Sequence, residues 1–82
     1  MEVIERLRAL LTDRFPAPDK VELDDEEGIH GAIISTQFEG METIDRINLI
    51  WDLIDQSLTT EERRHIQMII PVTPEEAIAH ST

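Results

Sequence analysis

The chain has 82 residues, the length of one small domain, and we predict a single domain over residues 1–82 because either half alone has too little apolar surface to fold. Acidic residues outnumber basic ones by 18 to 7, giving a net charge of −11 at pH 7. That charge repels nucleic-acid phosphates and suits a basic partner. Cysteine is absent, which excludes disulfides and fits a reducing cytoplasm. The acidic start and the lack of a long apolar run predict neither export nor a membrane anchor.

The first half of the chain predicts a helix followed by a β-hairpin. Apolar residues at helical spacing run from Met1 to Phe15, and prolines end this helix. Apolar and charged residues alternate from Lys20 to Asp24, as in a half-buried strand. An acidic tip leads into a second strand from Ile29 to Phe38, which is rich in β-branched residues and in which Gly31 suggests a bulge.

The region after Gly40 predicts the central helix of the core. Its apolar stripe comprises Ile44, Ile47, Ile50, Trp51, Ile54 and Leu58. Thr59 and Glu62 then have the spacing of a capping box, which predicts a short helix through Arg64.

The last third predicts a strand from His65 to Val72 and a final helix. The alternation of this strand places four side chains on its buried face: Ile66, Met68, Ile70 and Val72. Pro71 belongs near the strand end or on a sheet edge, since proline donates no backbone hydrogen bond. Thr73-Pro74-Glu75-Glu76 combines a cap, a proline at the first helical position and a carboxylate at the third, which starts a helix.

The predicted fold class is therefore α+β, in the order α-β-β-α-α-β-α. The helical crossover makes the second and third strands parallel, whereas the hairpin is antiparallel. We expect a small three-stranded mixed sheet with helices on one face and the other face partly open.

No catalytic constellation is recognisable, so we predict that the chain is not an enzyme. His30, His65 and His80 lie on separate elements without the close spacing of paired metal ligands, and only His30 and His65 are retained as candidates for a metal or a partner. The acidic hairpin tip lacks the ligand spacing of a calcium loop. Candidate residues for an interaction surface are Arg46, Arg63 and Arg64.

Several short motifs resemble the BolA-like family. Phe38-Glu39-Gly40 matches a Phe-x-Gly turn, Arg46 matches the arginine of an Arg-His pair, His65 matches a histidine near the third strand, and Thr73 to Glu76 matches a Thr-Pro-Glu-Glu helix start. The likeness spans nearly the whole chain.

This resemblance implies a fold akin to type II KH domains. It also implies partnership with a monothiol glutaredoxin in iron–sulfur or iron handling, with no cofactor held by the chain alone and a cluster shared with the partner. The family histidine after the arginine, implied to be a cluster ligand, is replaced by Ile47, while His30 can represent the ligand of the hairpin loop. The family pattern also places its apolar strand residues at Gln67 and Ile69.

The sequence thus predicts a non-catalytic interaction or regulatory module. Two alternatives stay open at this stage. One is a KH-like, nucleic-acid-binding transcriptional regulator, which the net charge disfavours. The other is an acidic structural or adaptor protein with no metal role.

Overall fold

The computed structural model describes the backbone of residues 2–81 and the side chains of residues 2–79. Its elements are helix α1 (Val3–Arg14), strands β1 (Lys20–Asp25) and β2 (Ile29–Ile34), a 3₁₀ helix (Thr36–Phe38), helices α2 (Thr43–Ser57) and α3 (Thr60–Arg63), strand β3 (Ile66–Val72) and helix α4 (Pro74–Ser81). The predicted α+β class and the order of helices and strands are confirmed. Met1, where the first helix was predicted to begin, lies outside the described residues.

The three strands form one mixed sheet in the order β1-β2-β3. β1 and β2 pair antiparallel across the acidic tip, where Glu27 and Gly28 have positive φ values of 56° and 111°. β2 and β3 pair parallel, as the crossover through α2 and α3 predicted. Within the described sheet, β2 is the central strand.

The hydrophobic core lies between the helices and one face of the sheet, which we call the inner face. Its buried residues are Leu7, Leu11, Phe15, Ile29, Ile33, Phe38, Ile50, Ile54, Leu58, Ile66 and Ile69. The rings of Phe15 and Phe38 pack with centroids 5.3 Å apart and join α1 to the 3₁₀ helix. Helices α1 and α2 therefore cover the inner face, as expected from their apolar stripes.

The predicted facing of β3 is correct only at its first residue. Ile66 is buried, but Met68 and Ile70 are 56% and 48% exposed, whereas Ile69 is only 6% exposed. The register explains the change, because Ile29 pairs with Ile66 while the next residue, His30, pairs with Met68. The additional residue, Gln67, forms a bulge that reverses the side-chain alternation beyond it.

The second strand ends earlier than predicted, at Ile34 instead of Phe38. The Ser35 hydroxyl donates to Asp19 Oδ2 at 2.7 Å and accepts from the Gln37 N–H at 3.0 Å, capping the 3₁₀ helix. Gly31 pairs regularly with Leu23 and does not lie in a bulge of the hairpin. A Cβ at Gly31 would come within 2.7 Å of the Glu22 carbonyl oxygen. Its missing side chain permits this close approach.

The stripe of α2 is confirmed at Ile50 and Ile54, with differences elsewhere. Ile44 is 59% exposed, and Trp51 is half-buried at the edge of the core. Arg46, which was expected at the surface, is only 8% exposed. The buried stripe begins two residues after Ile44, with Arg46 as its first buried member.

Both predicted capping boxes are present, at Thr59 with Glu62 and at Thr73 with Glu76. They start α3 and α4. Across residues 2–81, no helix combines the length and apolar character that crossing a bilayer requires.

Candidate interaction site

Arg46 connects three segments beside a shallow cleft. Its Nε donates to the Met41 carbonyl at 3.0 Å, and its Nη1 lies 2.6 Å from Glu76 Oε1 and 3.5 Å from the Pro71 carbonyl oxygen. Its Cζ lies 5.9 Å from the centroid of the Phe38 ring. The Phe-x-Gly turn, the end of β3 and the start of α4 are therefore joined by one guanidinium.

Glu76 takes part in both this ion pair and the cap of α4. Its Oε1 accepts the Thr73 N–H at 2.9 Å, and its own N–H donates to Thr73 Oγ1 at 3.2 Å. Hydrogen bonding to Arg46 first, and then to the Thr73 N–H, lowers the pKa of Glu76 to about 2. The carboxylate therefore stays ionised at any ordinary pH.

Arg46 was predicted to lie on an interaction surface, but its side chain is mostly buried and little of it is available to a partner. Residues lining the cleft are Glu39, Gly40, Arg46, Thr73, Glu75, Glu76 and Ala79. Arg46 lines this cleft, so a partner that binds in the cleft contacts it. Its interaction role stays a prediction restricted to that approach.

His65 and His30 lie at the same corner of the sheet. His65 is exposed in the turn before β3, and its carbonyl accepts the Ile29 N–H at 2.7 Å. His30 is the next residue along β2, exposed on the outer face, where it pairs with Asp24 and Met68 on its two neighbouring strands. The register thus brings two residues that are far apart in sequence onto adjacent strand ends.

Arg63 and Arg64 differ in their availability. Arg63 forms an ion pair with Asp55 and contacts Thr60 Oγ1 at 3.3 Å, so it holds α3 against α2. Arg64 is exposed, and no ion pair involves it within the described part of the chain. Arg64 directly precedes His65 and is the more accessible candidate for partner contact.

A second network steadies the same end of the molecule. Arg6 of α1 forms an ion pair with Glu62, and its Nη2 donates to the Ser57 carbonyl at 3.3 Å. The Thr59 N–H, followed by the charge of Arg6, lowers the pKa of Glu62. The turn that carries Arg64 and His65 is therefore attached to both α1 and α2.

Within residues 2–79, no group of three or more His, Asp or Glu side chains is placed to bind a metal ion. The side chain of His80 lies outside the described residues. Both His30 and His65 are exposed, and imidazole nitrogen is a donor type that can replace cysteine sulfur on iron–sulfur clusters.

Sequence reasoning missed the structural role of Arg46 and the exposure of the apolar residues of β3. The inward position of Arg46 could have been predicted from the sequence, because Arg46 precedes Ile50 by four residues and Ile54 by eight and so shares their face of the helix. The second had no local signal, because the bulge at Gln67 depends on pairing with β2.

Comparisons with known proteins agree with this architecture. BolA1 from Arabidopsis thaliana superposes with a TM-score of 0.62 at 26% identity, covering 93% of this chain and 96% of its own. The BolA domain of SufE1 from Arabidopsis thaliana gives a TM-score of 0.61 at 26% identity, with 88% and 92% covered. A bol-like protein from Babesia bovis gives 0.58 at 29% identity, with 98% and 90% covered. No family model and no curated protein sequence matches the chain.

The mixed sheet and the capped helices define a small α+β domain, and its solved BolA-like neighbours support a module of the interaction or regulatory class. Solved BolA proteins superpose over nearly the whole chain at 26–29% identity, so the chain resembles the BolA-like family in fold and sequence. The predicted resemblance is thereby confirmed. Ile47, half-buried on α2, marks its departure from the Arg-His pair.

Proposed function

We propose that the chain is a non-catalytic module that binds a monothiol glutaredoxin in the cytoplasm and takes part in iron–sulfur or iron homeostasis. The observation that carries this proposal is the exposed His65 at the start of β3 in a BolA-like fold. The complete absence of cysteine supports a reducing compartment and a partner that supplies the thiolates.

In this proposal, an iron–sulfur cluster is shared between the two proteins. His65 provides the main ligand from this chain, because Ile47 has no lone pair to offer a metal. His30, which follows the residue that donates to the His65 carbonyl, is the proposed second ligand or a neighbour that shapes the cluster pocket. Arg64 contributes contact to the partner beside His65.

The test reconstitutes a cluster anaerobically on a mixture of this chain and a monothiol glutaredoxin. Visible absorbance and circular dichroism report the cluster, and size-exclusion chromatography reports the complex. We expect His65→Ala to change the cluster spectrum strongly and His30→Ala to change it less. The matched control, Gln56→Ala, removes an exposed polar side chain from α2 and should leave both readouts unchanged.

Two outcomes separate the parts of the proposal. A stable complex whose spectrum is unaffected by both histidine variants contradicts the ligand assignment and leaves an adaptor without a metal role. A mixture that forms no complex contradicts the partner itself.

A further inference from the structure

The outer face of the sheet, turned away from α1 and α2, carries a continuous apolar strip. The β2–β3 register places Ala32 beside Ile70 and Ile34 beside Val72 on this face. Met68 extends the strip by one position, and Met68 and Ile70 are 56% and 48% exposed. Contiguous exposed apolar side chains on a small acidic chain are typical of a protein-binding surface.

Helix α4 extends this strip at one end of the sheet. A groove between β1 and α4 is lined by Pro18, Asp19, Lys20, Glu22, Ile34, Thr36, Pro74, Ala77 and Ile78. Ile78 is 68% exposed at its border. Ile34 belongs to both the strip and the groove, so the two form one surface.

Carboxylates border this surface along β1. Glu22 pairs with Ala32 and Asp24 with His30, so both acidic residues share the outer face with the strip. Neither takes part in an ion pair within the described residues. Lys20 stands at the far end of β1 and is the single lysine or arginine that β1 contributes to this face. An apolar strip beside unpaired carboxylates is complementary to apolar side chains flanked by cations.

We propose that this outer face binds an amphipathic, cationic helix of a partner protein. Its apolar side chains lie on the β2–β3 strip, and its Lys or Arg side chains lie beside Glu22 and Asp24. From Met68 to Val72 the strip is about 13 Å long at ~3.3 Å per residue, and about three helical turns cover it. A second copy of the chain fits poorly, because each copy carries a net charge of −11.

This inference goes beyond the glutaredoxin proposal, because neither His65 nor a cluster takes part in it. The two proposed surfaces meet at His30, which lies on the outer face between Asp24 and Met68. The probe is a fluorescently labelled, designed helix of about 15 residues with leucines on one face and lysines on the other. A matched peptide has glutamates in place of the lysines. Fluorescence anisotropy should show saturable binding of the lysine peptide and at least about tenfold weaker binding of the glutamate peptide.

Neutral substitutions separate the apolar contact from general attraction to an acidic protein. Met68→Thr combined with Ile70→Thr leaves the net charge unchanged and retains strand propensity. We expect binding at least about tenfold weaker for this variant. The matched control, Ile44→Thr, alters an isoleucine that is 59% exposed on α2 and should bind like the wild type.

The carboxylates have a control of their own. Glu22→Gln with Asp24→Asn should weaken binding more than Asp52→Asn with Glu61→Gln, which removes the same charge elsewhere. Far-ultraviolet circular dichroism verifies that each variant is folded.

Three results overturn the proposal. The first is a lysine peptide that does not bind the wild type. The second is equal binding by the Met68→Thr/Ile70→Thr variant and the wild type, which shows attraction by charge alone. The third is a wild-type dimer in sedimentation that this double variant dissociates, since the face is then occupied by a second copy.

Discussion

Arg46 Nη1 and Glu76 Oε1 lie 2.6 Å apart, and this ion pair joins the central helix to the first turn of the last one. The side chain of Arg46 is only 9% exposed, whereas that of Glu76 is 43% exposed. The same guanidinium also approaches the carbonyl oxygens of Met41 and Pro71. Its main role is therefore to hold the Phe-x-Gly turn, β3 and α4 together.

Replacing Arg46 should destabilise the fold. Arg46→Met keeps the aliphatic length but leaves buried carbonyl oxygens without their donors, which costs about 1–3 kcal/mol. Urea unfolding followed by Trp51 fluorescence measures the loss. Arg64→Met is the matched control, because Arg64 is exposed, and it should change the free energy of unfolding by less than about 0.5 kcal/mol. Equal effects of the two variants would contradict the structural role of Arg46.

The Glu76 carboxylate should make the stability of the protein depend on acid. Its pKa is about 2 in the folded chain and 4.5 in the reference state. Because folding lowers this pKa, the stabilisation is complete above pH 4.5 and is lost as the pH falls from 4.5 towards 2. Glu76→Gln should flatten the fall in the free energy of unfolding over that range.

Two comparisons sharpen this measurement. Glu62, whose pKa is also lowered, leaves part of the acid dependence in the Glu76→Gln variant. Glu75→Gln removes a neighbouring exposed carboxylate and should keep the wild-type profile. A Glu76→Gln profile as steep as that of the wild type would show that the ion pair does not form in solution.

The reversed facing of β3 predicts opposite tolerance at two consecutive isoleucines. Ile69→Ala removes a buried side chain and should cost about 2–4 kcal/mol of unfolding free energy. Ile70→Ala alters a side chain that is 48% exposed and should cost less than about 1 kcal/mol. Urea denaturation of both variants measures these losses. A larger loss for Ile70→Ala than for Ile69→Ala would contradict the bulge and support the uninterrupted alternation predicted from the sequence.

Local sequence patterns were sufficient for most of the architecture. Thr59 with Glu62 and Thr73 with Glu76 start helices where their spacing predicts, because capping boxes are satisfied by neighbouring residues alone. Both strands of the hairpin begin at the predicted residues, although the second ends four residues early, and the crossover rule gives the parallel pairing.

Features that depend on distant pairing were not predictable in this way. The bulge at Gln67 arises from its register with Ile29 and His30, which lie nearly 40 positions earlier in the chain. The proximity of His30 and His65 also follows from that register. The burial of Arg46 requires the carbonyls of two other segments, although its helical phase indicated an inward position.

We proposed that this BolA-like chain binds a monothiol glutaredoxin, and calorimetric titration of the two purified proteins measures that binding. We predict saturable binding at an equimolar ratio, weakened by Arg64→Glu beside His65 and unchanged by Gln56→Ala. Titration that produces no binding heat up to about 100 μM protein, where even weak specific complexes form, would contradict the glutaredoxin partnership.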